Sequence, residues 1–208
     1  MTSREMRESP LFLRNEFEVA GRWGIPVIKK EPLIEGEIRM LSASITRSND
    51  SEEKRRCGVY FTIDDYRFTA IYRNPSKSLN KYSQYAFLLS PDYSVYADMN
   101  PWRQIESIAH SRWCGAWWQS KGLKVYPMIS WSTPESYSFC FDGVEPNSVV
   151  AVGMIGCKKG NKMNYMRGYN AMLDRLEPSA IICIGKPFPE MEGNLITVEH
   201  NESRRAVR

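Results

Sequence analysis

Short apolar runs alternate with polar turns along most of the chain. The run YAFLL at 85–89 is unbroken and is stopped by Ser90-Pro91-Asp92; VYFTI at 59–63 is bounded by Asp64 and Asp65. Further runs are VYPMI at 125–129, VVAVGMI at 149–155 and AIICI at 180–184. Continuous runs of this length predict strands buried on both faces, as a parallel sheet requires. Weaker strand signals at 24–28 and 195–198 read as edges, and Pro26 keeps the first of them out of a central position.

Between these runs the period changes to that of a helix. Asn100-Pro101 places an N-cap residue before a proline at the first helical position. Trp102, Ile105, Ala109, Trp113, Ala116 and Trp117 then follow at helical spacing, and Gly122 closes the element. Met166, Tyr169, Met172, Leu173 and Leu176 make a second stripe, ended at Glu177-Pro178. The stretch 134–141 alternates like a strand at Tyr137, Phe139 and Phe141, while its place between two apolar runs suits a short crossover helix, the preferred expectation.

Strand and helix in this order predict an α/β fold with a largely parallel sheet built from βαβ units. Six or seven strands are too few for an eightfold barrel, which needs about 250 residues, so the sheet is expected to be open or partly closed, like an incomplete barrel. One α/β domain is expected over 23–200. A charged arm at 1–22 precedes it, the loop RSNDSEEKRR at 47–56 is expected to be solvated, and 201–208 forms a basic tail.

Composition narrows the function classes. The chain has 208 residues, 42% hydrophobic and 25% charged, which excludes a wholly disordered polypeptide. No stretch of about 20 apolar residues is present to span a membrane, so no membrane partner is expected. A formal net charge of +4 is too mild to announce a nucleic-acid binder, yet it does not oppose an anionic ligand. The first residues lack an apolar signal core, and five cysteines carry no CxxC pair. Reduced thiols in a cytoplasmic protein are the expectation. His110 and His200 stand too far apart in sequence to suggest a His-based metal site, and no residue pattern names a cofactor.

A parallel sheet opens all its strand-to-helix loops on one edge, where ligands bind. The loops expected to converge there are 90–94, 130–132, 156–161 and 185–186. Gly156, Lys158 and Lys159 in the third are the candidate anion site. Lysines at a helix N-terminus oppose the macrodipole unless an anion joins them, although a glycine turn with solvated lysines is the plainer alternative. The loop lacks a Walker pattern. Asp92 is the candidate catalytic carboxylate, as general acid, general base or hydroxyl acceptor, against a turn role for Ser90-Pro91-Asp92. Trp118, Gln119 and Trp131 are candidates for stacking on a base or for a protein contact, because the first two fall off the apolar stripe. Arg112 lies within that stripe and is expected to be paired with Asp92 or another acid, in a supporting role. Cys157 beside the lysines lacks a local base, and Asp64 with Asp65, a carboxylate pair that could hold a divalent ion beside a phosphate, reads in preference as a strand-end turn.

At these residues a resemblance enters. The strings SPDYS, WWQSKG, FCFDG and GCKKG, in this order, resemble an uncharacterised bacterial and phage family known only as a domain of unknown function. The likeness runs over about 24–186 and is most specific at Ser90-Pro91-Asp92, Trp118-Gln119, Phe141-Asp142-Gly143 and Gly156-Cys157-Lys158. It implies a phage or mobile-element context and action in the bacterial host cytoplasm. It supplies no activity and no catalytic residues, and 47–56 looks like an insertion relative to it.

Two function classes follow. One is an enzyme or sensor that acts on a phosphorylated small molecule, foremost a nucleotide. The other is a non-enzymatic factor that binds a host protein, for example against host defence. Binding to nucleic acid ranks third because of the modest charge.

Overall fold

The computed structural model describes residues 2–155 and 161–200. Seven parallel strands follow one another in space as they do in sequence. They are β1 (Met40–Ser42), β2 (Gly58–Tyr60), β3 (Phe87–Leu89), β4 (Val125–Tyr126 continuing as Met128–Ile129), β5 (Val149–Gly153), β6 (Ala180–Ile184) and β7 (Leu195–Val198). The first half of β4 pairs with β3 and its second half with β5, so two four-stranded parallel sheets meet at Pro127. Proline has no N–H to give to a ladder, which explains the break. The ladder is bridged there by other groups: Ser90 Oγ accepts from the Met128 N–H, and Pro127 O accepts from the Ala151 N–H.

Alternation along each strand sorts side chains into an inside and an outside. Met40, Tyr60, Phe87, Tyr126, Ala151 and Ile182, from six successive strands, belong to one buried cluster that Val198 of β7 joins. Their neighbours point the other way. Val59, Leu88 and Val125 pack under one set of helices, while Val150, Val152 and Ile181 pack under another. One shared interior with two helical coats is the layout of a partly closed α/β barrel. The seam lies between β1 and β7, which line a cleft of about 540 Å³, and the Tyr60 hydroxyl meets His200 Nδ1 across it at 3.1 Å.

The two expected helices are present as α1 (Pro101–Ser120) and α2 (Lys162–Leu176), with Pro101 in the first turn of α1. The crossover at 134–141 is helical, a 3₁₀ segment over Pro134–Ser138. Three features depart from the sequence reading. The strand β1 and the helices Thr69–Arg73 and Pro75–Tyr82 were not expected from periodicity. The segment at 24–28 does not enter the main sheet by its strand: Ile25–Pro26 pairs antiparallel with Val19–Ala20. The charged loop 47–56 is anchored rather than wholly solvated. Asp50 is buried, takes the Tyr85 hydroxyl and the Arg47 N–H, and pairs with Lys54 at 3.3 Å; Glu52–Arg55 forms a helical turn. Burial opposes the charge on Asp50, and these donors outweigh it and hold its carboxyl below the usual range.

The arm at 1–22 is also tied down at its end. The Arg14 guanidinium sits over the rings of Tyr72 (4.2 Å) and Trp113 (3.8 Å), and Phe17 packs on Trp113. The four cysteines among the described residues are buried and free of disulfides. No helix of the described chain is long and apolar enough to cross a membrane.

Candidate functional site

At the C-terminal ends of β2 to β5 the loops enclose a cleft of about 470 Å³. Thr62 and Asp64 come from the loop after β2, Asp92, Ser94 and Tyr96 from the loop after β3, and Ser130 and Trp131 from the loop after β4. Gly153 and Ile155 follow along β5, and Tyr165 reaches in from α2. This is the edge of a parallel sheet where strand ends leave backbone and loop side chains free to meet a ligand.

Asp92 is the chemical centre of the cleft. Ser130 Oγ donates to its Oδ1 at 2.6 Å. Burial pushes its carboxyl up to about 6, helped by the neighbouring Asp65 charge; the hydroxyls of Ser130 and Thr62 and the Arg112 charge pull the other way without winning. A carboxyl that titrates near 6 is ionised in part and protonated in part close to neutral pH, which suits proton transfer in either direction. The wall beside it is cross-linked by hydrogen bonds. Asp65 accepts from both the N–H and the hydroxyl of Ser94 and so ties the loop after β2 to the loop after β3.

Trp131 forms the aromatic side. Its ring lies 5.0 Å from that of Tyr165, and its indole rests on the backbone of α2 at Gly168. A Cβ at that position would come within 2.2 Å of the indole, so only glycine admits this pose. Ser132 next in the chain donates to Gln104 in the first turns of α1, which fixes the loop from the other side.

The remaining sequence candidates are placed elsewhere. Gly156, Lys158 and Lys159 lie outside the described residues, as does Cys157; of the described residues that flank them, Ile155 lines the cleft. Trp118 is no stacking platform. It is fully buried against Phe61, ring centroids 5.5 Å apart, because α1 is covered on its far side by Thr69–Tyr82 packing as well as by the sheet. A stripe argument assumes one buried face, and this helix has more than one. Gln119 is a clamp on the backbone, donating to Lys29 O and accepting from Lys29 N–H at 2.8 Å each. Lys186 is exposed, and Gly185 with Lys186 contributes nothing to the lining of the cleft.

Arg112 differs from expectation in its partners. It is wholly buried and donates to three backbone carbonyls, of Met128 (2.8 Å), Cys140 (3.0 Å) and Asp142 (3.2 Å), rather than to a carboxylate. Burial lowers it to about 10, so it remains a cation at neutral pH. It joins the end of β4 to the turn after the 3₁₀ segment and makes no ion pair with Asp92, so it only partly offsets the burial that raises that carboxyl. Asp142 pairs instead with Arg175 at 2.6 Å. At Gly143 a positive φ of 73° and a Pro26 oxygen 2.2 Å from any added Cβ make the residue a packing requirement.

Sequence reasoning missed Thr62, Asp64 and Tyr165 as parts of the cleft. The first two follow a strand that ends at Tyr60, and only the placement of β2 beside β3 brings them to Asp92. Among the described residues no group of three or more His, Cys, Asp or Glu is arranged to hold a metal ion.

A family model described as a domain of unknown function, DUF4417, matches residues 17–202. The Gene 1 protein of Mycobacterium phage L5 is 31% identical over 178 residues, covering 85% of this chain and 77% of that protein. The Gene 1 protein of Mycobacterium phage D29 is 34% identical over 130 residues, covering 62% of this chain and 48% of that protein. No solved structure matches. With most of its length inside one family model, and a phage relative alongside it over most of the chain, the protein belongs to the DUF4417 family.

Proposed function

We propose that the cleft binds a phosphorylated small molecule, foremost a nucleotide, with Asp92 as proton-transfer group or as acceptor for a sugar hydroxyl. The observation that carries this reading is the Asp92 carboxyl, pushed up to about 6 by burial and held by Ser130, set in the same cleft as an aromatic face at Trp131. A flat ring, a hydroxyl acceptor and a nearby source of positive charge are the three things a nucleotide requires. Lys158 and Lys159 supply the charge in this reading, by their sequence position between β5 and α2. On the bound nucleotide Asp92 gives or takes a proton.

The test is a thermal-shift panel on the purified chain with nucleoside monophosphates and triphosphates, sugar phosphates and inorganic phosphate. A ligand at 100 times its dissociation constant stabilises by about 2.7 kcal/mol, which is easily seen. The expected result is a shift with at least one nucleotide that is lost in the Lys158→Ala, Lys159→Ala double variant and weakened in Asp92→Asn. No shift with any of these ligands, or an undiminished shift in the double variant, overturns the proposal.

A further inference from the structure

The cleft has a rim that reaches past its walls. Tyr66 is 78% exposed, Tyr96 60% and Trp102 65%, rings that a soluble domain ordinarily shelters. Tyr66 stands in the turn Asp65–Arg67 just beyond cleft residue Asp64. Tyr96 lies in the cleft's β3 loop, its hydroxyl 3.0 Å from the Ser94 hydroxyl oxygen. Trp102 lies in the first turn of α1, two residues from Gln104, whose partner Ser132 adjoins Trp131. The order of strands and helices therefore brings all three rings to the edge where the cleft opens. Exposed Ile155 and Met163 continue the apolar rim on the β5–α2 side.

Cations are interleaved with these rings. Arg67 follows Tyr66 and Arg103 follows Trp102, while Lys162 precedes Met163 and Lys186 is exposed after β6. Arg103 and Lys162 are held by Glu106 and Glu190, and Asp64 and Asp98 are the exposed acids on the same side. A lone mononucleotide seated against Asp92 and Trp131 leaves Tyr66 and Trp102, which lie outside the cleft lining, unused. Successive rings with a cation beside them are the surface that single-stranded nucleic acid fits, its bases stacking and its phosphates meeting the positive charges.

Resting on the nucleotide reading of the cleft, we propose that its ligand is a nucleotide carried within single-stranded nucleic acid, the neighbouring bases stacking on Tyr66, Tyr96 and Trp102. The target base enters the cleft, and a paired duplex is excluded unless that base is first unstacked. DNA and RNA share this chemistry, and the experiment separates them.

The test compares thymidine and uridine monophosphates with labelled oligothymidylate and oligouridylate of about twelve nucleotides, and with the matching duplex, by fluorescence anisotropy and competition. The expected result is that one single strand binds at least about tenfold more tightly than its monophosphate and than the duplex. Tyr66→Ala with Trp102→Ala, both outside the cleft lining, is expected to remove that gain while leaving monophosphate affinity unchanged. A strand no tighter than its monophosphate overturns the extension and leaves the nucleotide reading standing, as does a gain that survives the double variant. Binding of neither overturns the extension as well, and the wider ligand panel then decides the nucleotide reading.

Discussion

Burial works against the charge on Asp92, and that opposition sets its pH behaviour. Its carboxyl is pushed up to about 6 in the folded chain, against an ordinary value near 3.9. Between about pH 4 and 6 the folded state holds a proton that the unfolded state has released, so stability falls as pH rises through that window and stays reduced above it. Asp92→Asn carries no such penalty. It is expected to be more stable than the parent by about 1–2 kcal/mol at pH 7.5, with the advantage gone at pH 4, as read by urea unfolding at both values. A variant less stable at pH 7.5 would show that the Ser130 contact outweighs burial. This residue was legible in the sequence, because a carboxylate straight after a buried run belongs at the sheet's open edge. Trp118 was not, since burial of its face depends on helices from another part of the chain.

The elements that build the site do so by fitting one another closely. α2 admits Trp131 only through Gly168, and the same helix delivers Tyr165 to the ring's edge. Gly168→Ala gains helix propensity of about 1 kcal/mol but pushes a Cβ into the indole. The expected outcome is native far-UV circular dichroism with a shifted Trp emission and ligand affinity reduced by at least about tenfold. Unchanged emission and affinity would mean that the indole repacks without consequence. The motif strings divide along the same line. Ser90-Pro91-Asp92 serves the cleft at Asp92 and the sheet at Ser90. Trp118-Gln119 and Phe141-Asp142-Gly143 serve the scaffold, through a core ring, a clamp on Lys29, the Asp142–Arg175 pair and a glycine pressed on Pro26. The elements with long apolar runs or stripes were readable in advance. β1 was not, for two apolar residues between Arg39 and Ser42 carry too little periodicity.

For the whole molecule, sequential parallel order places β1 and β7 at the two lips of a seam. β5 and β6 are paired on both sides and buried on both faces, whereas each lip is paired on one side alone. Amide hydrogen exchange is therefore expected to be slowest over Val149–Gly153 and Ala180–Ile184, and more than about tenfold faster over Met40–Ser42 and Leu195–Val198. Uniform protection would mean that the seam is closed more firmly than its cleft and the Tyr60–His200 contact indicate.

The sequence by itself determined the fold class, the long helices, the buried strands and the edge on which the cleft lies. Those depend on the local periodicity of apolar residues and on the rule that parallel strands all end at one side. Only the tertiary structure decided which side chains meet: that Thr62 and Asp64 join Asp92, that Arg112 spends its donors on carbonyls, and that Trp118 is core while Tyr66 and Trp102 are surface. The reason is that burial of a side chain is settled by every element packed against it. A helical stripe or a strand run reports only the first of those neighbours.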